Sequence, residues 1–163
     1  DSVATKVITG LGHLQGRLVS ILADGVVQAQ QTVSGSSITL DANSFTVQAG
    51  LQYFSDLETL NVDFNSQDGT IQGKKAKISN VILRLINSLG GYLGPDSSTL
   101  YKITDIRSVY ESAIALVTAD IKQNLGGSYG DGGRVFLRQS DPLPITVAAI
   151  IPSVSVASGV STT

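Results

Sequence analysis

The chain has 163 residues, of which 42% are hydrophobic and only 15% charged, and its formal net charge is -2. A protein that binds nucleic-acid phosphates tightly usually carries a clear basic excess, so this balance argues against that class. The sequence has no cysteine and one histidine, His13, which excludes disulfides, thiolate metal sites and multi-histidine metal sites within one chain. No apolar run reaches the roughly 20 residues of a membrane-spanning helix, and no basic, apolar signal segment is present.

Short alternating segments separated by turn residues make up the first third of the chain. We predict strands at Arg17–Leu22, Val26–Val33, Ser36–Leu40 and Ser44–Gly50, with Phe45 and Val47 on one face of the last. Asp24-Gly25 is a strong hairpin signal because both residues tolerate positive φ, and Gly35 predicts the next reversal. This regular spacing indicates a β meander of the kind found in sandwiches and barrels.

The middle of the chain combines an extended segment, a polar loop and an apolar strand. An extended structure is favoured over a helix for Leu51–Leu60, and Asn65–Gly73 is a polar loop with another Asp-Gly turn. Ile78–Ile86 carries apolar residues on both faces, which predicts burial on both sides or at a subunit contact if it is a strand. Its leucine content leaves a helix open. The residues that end this segment are Gly90, Gly91, Gly94 and Pro95.

The last third is predicted to finish a sheet. Further strands are predicted at Tyr101–Thr104 and Ala113–Val117, around a loop that contains Asp105, Arg107 and Glu111. Arg134 to Ser140 alternates, with Arg134, Phe136, Arg138 and Ser140 on one face and Val135, Leu137 and Gln139 on the other. Pro142 and Pro144 indicate a bulge, edge or crossing before a second apolar strand that ends near Val156.

These elements predict a mainly β fold of short antiparallel strands in a sandwich or barrel-like arrangement, with few or no helices. We expect a β meander over residues 1–72, a β subdomain packed on it over 73–157 (or one domain formed by both) and a flexible tail over 158–163. The chain opens at Asp1 without an initiator Met, and Val3–Gly10 already resembles the middle of a domain. We therefore expect an end piece of a longer polypeptide.

Candidate chemical groups are few and isolated. Gly90-Gly91, Gly126-Gly127 and Gly132-Gly133 are interpreted as turns rather than phosphate-binding loops, because none precedes a convincing helix. A histidine such as His13 can act as a pH sensor or as a general base. We interpret it instead as a loop histidine that hydrogen-bonds to the backbone, since no nucleophile or acidic partner lies near it in sequence.

Two groups of charged residues allow an alternative interpretation. Asp56 and Glu58 share a strand face, so they could act as a glycosidase pair or ligate Ca²⁺, although a solvated or interface-facing pair is favoured. Asp63 and Asp68 are weaker loop candidates. The sequence has one basic cluster, formed by Lys74, Lys75 and Lys77. These lysines could contact nucleic acid or an acidic neighbouring subunit, but a short basic run of this kind is usually exposed to solvent. We predict no catalytic, cofactor-binding or metal-binding residues, no cofactor and no enzymatic activity.

Four segments, in order, carry a resemblance to one family. They are GHLQGRLVSILADGVV within residues 11–27, AGLQYFSDLETL at Ala49–Leu60, the basic run and apolar strand of Gly73–Leu85, and RVFLRQSDPLPITVAAIIPSV at Arg134–Val154. Together they resemble the C-terminal region of the tail nozzle proteins of short-tailed bacteriophages, also called tail tubular protein B or tail hub proteins. The sequence departs from the family pattern at Ser153, where an acidic residue is usual, and at Ala76, which interrupts the basic run.

The resemblance implies a structural virion protein in the phage tail. Such a chain is a β-rich subunit of a ring, commonly a hexamer, that extends the DNA channel, retains the genome end and takes part in DNA ejection. The implied partners are identical subunits, other tail proteins such as the adaptor and fibres or spikes, and double-stranded DNA that passes without sequence recognition. The alternatives are a receptor- or carbohydrate-binding β-sandwich module of a virion or cell surface, and a wall-degrading hydrolase built on Asp56 and Glu58.

Overall fold

A computed structural model describes residues 3–66, 69–71, 74–103, 115–126, 128–130 and 133–157. The described residues are mainly strands in several antiparallel sheets, with one short 3-10 turn, so the predicted fold class is confirmed. The chain forms two compact units, the first mainly up to Phe54 and the second from Ser55 onwards, and this division falls earlier than the expected boundary after residue 72. The predicted tail at 158–163 and the loop residues Asp105, Arg107 and Glu111 lie outside the described residues.

The first unit contains two small antiparallel sheets. Its elements are β1 (Thr5–Ile8), the 3-10 turn (Gly12–Leu14), β2 (Leu18–Ala23), β3 (Val26–Thr32), β4 (Ile38–Ser44) and β5 (Val47–Leu51). One sheet has the order β3-β2-β5, and the other pairs β1 with β4. The predicted strands are therefore present, but the pairing differs from a simple meander because β5 joins β2 rather than β4.

The Asp24-Gly25 hairpin is confirmed. Ala23 pairs with Val26 across a two-residue turn, and Asp24 and Gly25 both have positive φ, 47° and 79°. These angles match the primed turns whose twist suits a tight hairpin. Alternate residues of β2 then face inward, and the buried residues of the first unit's core are Val19, Ile21, Ala23, Val33, Ile38 and Leu40.

The predicted strand over Ser44–Gly50, with Phe45 beside Val47, is wrong at its start. Ser44 ends β4 and β5 begins at Val47, so Phe45 lies in the connecting turn and is largely exposed. The physical reason is the Asp24 carboxylate, which accepts hydrogen bonds from the backbone N–H groups of Phe45 (3.0 Å) and Thr46 (2.7 Å). The Asp24-Gly25 turn thus also holds the turn between β4 and β5.

The second unit contains two larger sheets. Its strands are β6 (Ser55–Glu58), β7 (Asn65–Ser66), β8 (Gly69–Thr70), β9 (Ala76–Ser88), β10 (Tyr92–Gly94), β11 (Tyr101–Lys102), β12 (Val117–Asn124), β13 (Phe136–Gln139) and β14 (Val147–Val156). One sheet has the order β11-β10-β13-β6, the other has the order β12-β9-β14, and β7 pairs with β8 as a hairpin. The extended segment, the long apolar strand and the two terminal strands are all confirmed.

A single apolar core joins these two sheets. Its buried members come from both: Ile78, Val81, Leu83, Leu85, Leu93, Ile103, Ile121, Leu125, Val135 and Leu137. Because each sheet contributes one face to this core, the second unit is a β sandwich.

Three details of the second unit differ from expectation. Of the two alternatives for Ile78–Ile86, burial on both sides is not found within the described chain, since Val81, Leu83 and Leu85 face the core while Ile86 is 42% exposed; burial at a subunit contact stays a prediction. The strand predicted at Ala113–Val117 begins only at Val117; residues 113 and 114 are not described. The sequence did not predict β12 (Val117–Asn124) because most residues of this strand are exposed, and its composition is therefore largely polar. Of the strand predicted at Tyr101–Thr104, β11 includes two residues.

Candidate functional site

The two carboxylates of β6 face the same side, as predicted, and each is paired with an arginine. Asp56 lies directly opposite Arg138 of β13. Arg138 Nε donates to Asp56 Oδ1 and Arg138 Nη2 donates to Asp56 Oδ2, both at 2.7 Å. This two-pronged geometry is the strong form of an arginine–carboxylate pair. The hydrogen bonds from Arg138 lower the pKa of Asp56; desolvation opposes this shift, and the charge of Arg138 adds to it in smaller measure.

The second pair is looser but links three residues. Arg134 Nη1 donates to Glu58 Oε1 at 3.1 Å, and Arg134 Nε donates to Asn61 Oδ1 at 2.6 Å. The Arg138 guanidinium also lies 5.3 Å from the centre of the Phe136 ring, within the range of a cation–π contact. Both arginines therefore fasten β6 and its continuation to β13.

This arrangement argues against the hydrolase interpretation of Asp56 and Glu58. The second carboxylate of a glycosidase must be free to attack the sugar or to activate a water. In Asp56 both carboxylate oxygens instead accept hydrogen bonds from Arg138, and Glu58 Oε1 accepts one from Arg134. The pair is better explained as part of the sheet framework.

A cleft of about 500 Å³ lies beside this framework, within the second unit. Glu58 and Arg134 form one part of its lining, and Asp96 and Tyr101 form another. Ala76, Ile78 and Leu125 add apolar surface, so the cleft combines charged, aromatic and aliphatic groups. Its volume is within the range of about 300–1,000 Å³ that is usual for small-molecule sites.

The segment that follows β10 holds Asp96 in a fixed orientation. Asp96 Oδ1 accepts hydrogen bonds from the backbone N–H groups of Ser98 and Thr99, both at 2.8 Å, and from the Ser98 hydroxyl. These bonds, that from the Ser98 hydroxyl foremost, lower the pKa of Asp96. The cleft therefore presents an oriented, ionised carboxylate.

Sequence reasoning missed this cleft because it treated Gly94 and Pro95 only as strand breakers. The backbone folds back so closely that a Cβ at Gly94 would lie 1.8 Å from the Thr99 carbonyl oxygen. Glycine is thus required by close approach rather than by a positive φ. The signal that was available was Asp96 followed by two serines and a threonine, which is typical of an Asx turn.

The remaining candidates are scattered. His13 is exposed on the 3-10 turn, and Asp63 accepts a hydrogen bond from the Thr70 hydroxyl at 3.0 Å. Asp68 lies outside the described residues. The lysines of the basic cluster lie at the entrance of β9, with Lys75 exposed and Lys74 and Lys77 half-buried.

None of the glycine pairs is followed by a helix among the residues that the structure describes, which argues against a phosphate loop. Over the same residues, no three acidic or histidine side chains are grouped so that they could hold a metal ion. Within the described ranges, no helix has the length and apolar character needed to cross a lipid bilayer.

The sheet β12-β9-β14 has a second face that points away from the core, here called the outer sheet face. It consists of Asn80, Ile82, Arg84 and Ile86 of β9, Asp120 and Lys122 of β12, and Ile151 and Ser153 of β14. Ile82 lies directly opposite Ile151, which is 45% exposed. Beside them Arg84 Nε and Nη2 donate to the two Asp120 carboxylate oxygens at 2.8 Å. This face therefore exposes apolar side chains beside an ion pair whose two charges neutralise each other.

Compared with known proteins, the chain matches no family model, and no curated protein gives a significant match. The resemblance to tail nozzle proteins therefore stays a prediction that rests on the four sequence segments.

Proposed function

We propose that this chain is a structural virion protein, a subunit of the tail nozzle or hub ring of a short-tailed bacteriophage. The outer sheet face is the observation that carries the proposal. Ile86 and Ile151 are partly exposed at 42% and 45%, and they lie on the longest strand pair of the second unit. The sequence of β9 carries apolar residues on both faces, with Ile82 and Ile86 on the outer one, which favours a strand that is covered on both sides in its working form.

The positions of the four resembling segments support the same conclusion. They coincide with framework elements, including the β2–β3 hairpin, β6, β9 and the run from β13 to β14. Two of them are joined directly, because the Asp56 of one segment binds the Arg138 of another. The most distinctive charged residues of the resemblance thus hold strands together, a role suited to a building block rather than a catalyst.

In the proposed assembly, copies of the chain make head-to-tail contacts through different surfaces. Such contacts close into a ring when the rotation between subunits divides a full turn, and the resemblance favours a hexamer. The ring extends the DNA channel, contacts the adaptor and the fibres or spikes, and retains the genome end until ejection. Double-stranded DNA passes without sequence recognition, for which the low charge and net charge of -2 are suitable because they provide little attraction to phosphates.

The decisive experiment localises the chain in the particle. Antibodies raised against this chain are applied to purified virions and examined by electron microscopy, followed by symmetry-averaged imaging of the tail. We expect label at the tail tip and a rotationally symmetric ring that accommodates both compact units. Label on the capsid shell, or absence of the chain from purified virions, would contradict the proposal. Glycan cleavage by the wild-type chain, lost in Asp56→Ala, would replace it with the hydrolase alternative.

A further inference from the structure

We propose that the cleft of the second unit is a binding site for a neutral saccharide. The inference goes beyond the assembly role and does not depend on it. The site lies between the end of β6, the start of β9 and the segment after β10, and all of its described lining belongs to one unit.

The balance of charge in the cleft favours a neutral ligand. The charged residues of the described lining are two acids, Glu58 and Asp96, and one base, Arg134. A cationic ligand would meet Arg134 as a like charge, and a phosphate-bearing ligand would meet both carboxylates. Neither kind of ligand is matched by all three residues, because like charges that are brought together repel.

The hydrogen-bonding groups favour hydroxyls. Glu58 uses Oε1 for Arg134, and Arg134 uses Nη1 and Nε for Glu58 and Asn61. Within the described residues, Glu58 Oε2 and Arg134 Nη2 make no hydrogen bond, so the linked pair keeps one acceptor atom and one donor group available to a ligand. A hydroxyl both donates and accepts, and neighbouring hydroxyls of a sugar ring can therefore satisfy a carboxylate and a guanidinium together.

The apolar groups favour a ring with a hydrocarbon face. Tyr101 is 41% exposed, which leaves ring surface available to a ligand. Ala76, Ile78 and Leu125 continue this apolar surface. A pyranose ring has polar hydroxyls at its edge and C–H groups on its face, so it can contact tyrosine and aliphatic carbons while its hydroxyls reach the charged wall. Volume, charge, hydrogen bonding and apolar surface thus agree on one ligand class.

The test uses the full chain, labelled with ¹⁵N, and a panel of glucose, galactose, N-acetylglucosamine and maltose, with AMP and N-acetyl-lysine amide as the anionic and cationic comparisons. We expect at least one saccharide to shift the backbone amide signals of Gly126, Ser128 and Gly130, with a dissociation constant on the order of 1 mM. Because the ligand is neutral, the dissociation constant should not change when the salt concentration is raised.

Tyr101 provides the discriminating variants. Tyr101→Ala should weaken saccharide binding at least tenfold, while Tyr101→Phe, which keeps the ring and its packing, should retain most of it. Tyr53→Ala is the matched control, because Tyr53 is 76% exposed and belongs to the first unit. Unchanged binding by Tyr101→Ala overturns the proposal. So does a panel in which no saccharide shifts these amides, or in which only AMP or N-acetyl-lysine amide does.

Discussion

Asp56 and Arg138 are 82 residues apart in the sequence, yet each meets the other directly across two neighbouring strands. The sequence correctly predicts that Asp56 and Glu58 share one face, because strand alternation is local. It does not identify their partners, because pairing between β6 and β13 depends on the route of the whole intervening chain. The same residues therefore look like a catalytic pair in sequence and serve as framework ion pairs in the fold.

The lowered pKa of Asp56 gives a first prediction, which concerns how the stability of the fold changes with pH. In the fold this pKa lies below its ordinary value of 3.8, so the pair contributes stability above that pH and loses it as the pH falls through the folded-state pKa. Asp56→Asn should lower the melting temperature at neutral pH, and the difference from wild type should shrink in acid. Thermal unfolding of both proteins, measured from neutral pH down to acid, checks the prediction.

A double-mutant cycle with Arg138→Gln identifies the cause. Coupling between positions 56 and 138 should be measurable at neutral pH and should disappear in acid, where Asp56 is protonated. Coupling that is the same at every pH would show that the Asp56–Arg138 ion pair is not the cause of the pH-dependent stability. Asp96 and Asp120 also have lowered pKa values in the fold, so the Asp56→Asn variant should keep part of the acid sensitivity of the wild-type chain.

Gly94 gives a second prediction at the residue scale. In Gly94→Ala the new methyl group would overlap the Thr99 carbonyl oxygen, so β10 and the following segment cannot both keep their positions. We expect a loss of roughly 3 kcal/mol in the free energy of unfolding, at the upper end for overpacked sites. Chemical denaturation measures this loss. Gly130→Ala is the matched control because nothing lies within 4 Å of its added Cβ, and equal losses in the two variants would contradict the close-approach argument.

Among the elements, strands with strong local signals were predicted well and strands defined by their neighbours were not. The β2–β3 hairpin and β9 follow from a two-residue turn and from apolar alternation. In contrast, β12 contains mostly exposed polar residues, and its place is set by pairing with β9 rather than by its own composition. The cleft was missed for a related reason, because its residues come from several elements that are distant in sequence.

The Asp24 turn gives the prediction that belongs to this scale. Its carboxylate holds the turn between β4 and β5 through two backbone N–H groups, a role that the hairpin signal alone does not reveal. Asp24→Ala should destabilise the first unit by about 1–3 kcal/mol, because the two amides lose a charged acceptor. Hydrogen exchange at the Phe45 and Thr46 amides should also accelerate. Asp41→Ala, on an exposed position of β4, should leave that exchange unchanged; similar acceleration in both variants would count against the turn's role.

At the scale of the whole molecule, each compact unit has its own core, and the second unit still exposes isoleucine on its outer sheet face. A chain with only 15% charged residues has few means of keeping such a face from associating. Edge strands strengthen the tendency, because among the described residues β12 and β14 each pair with β9 alone. Pro152 within β14 is compatible with that edge position, since proline lacks a backbone N–H and an edge strand leaves the N–H groups of one side without a neighbouring strand.

Self-association through the outer sheet face is the last prediction. The wild-type chain should form concentration-dependent oligomers in sedimentation velocity, and Ile151→Lys should weaken this association at least tenfold, because it places a charge at the centre of the apolar contact opposite Ile82. Leu60→Lys is the matched control, since Leu60 is 88% exposed in the same unit and lies outside the sheet. Both variants should keep the wild-type melting temperature, because both positions are exposed. If the wild type stays monomeric up to the concentrations at which tail proteins assemble, or if the two lysine variants associate equally, the outer sheet face is not the contact between copies, and the ring must close through other surfaces.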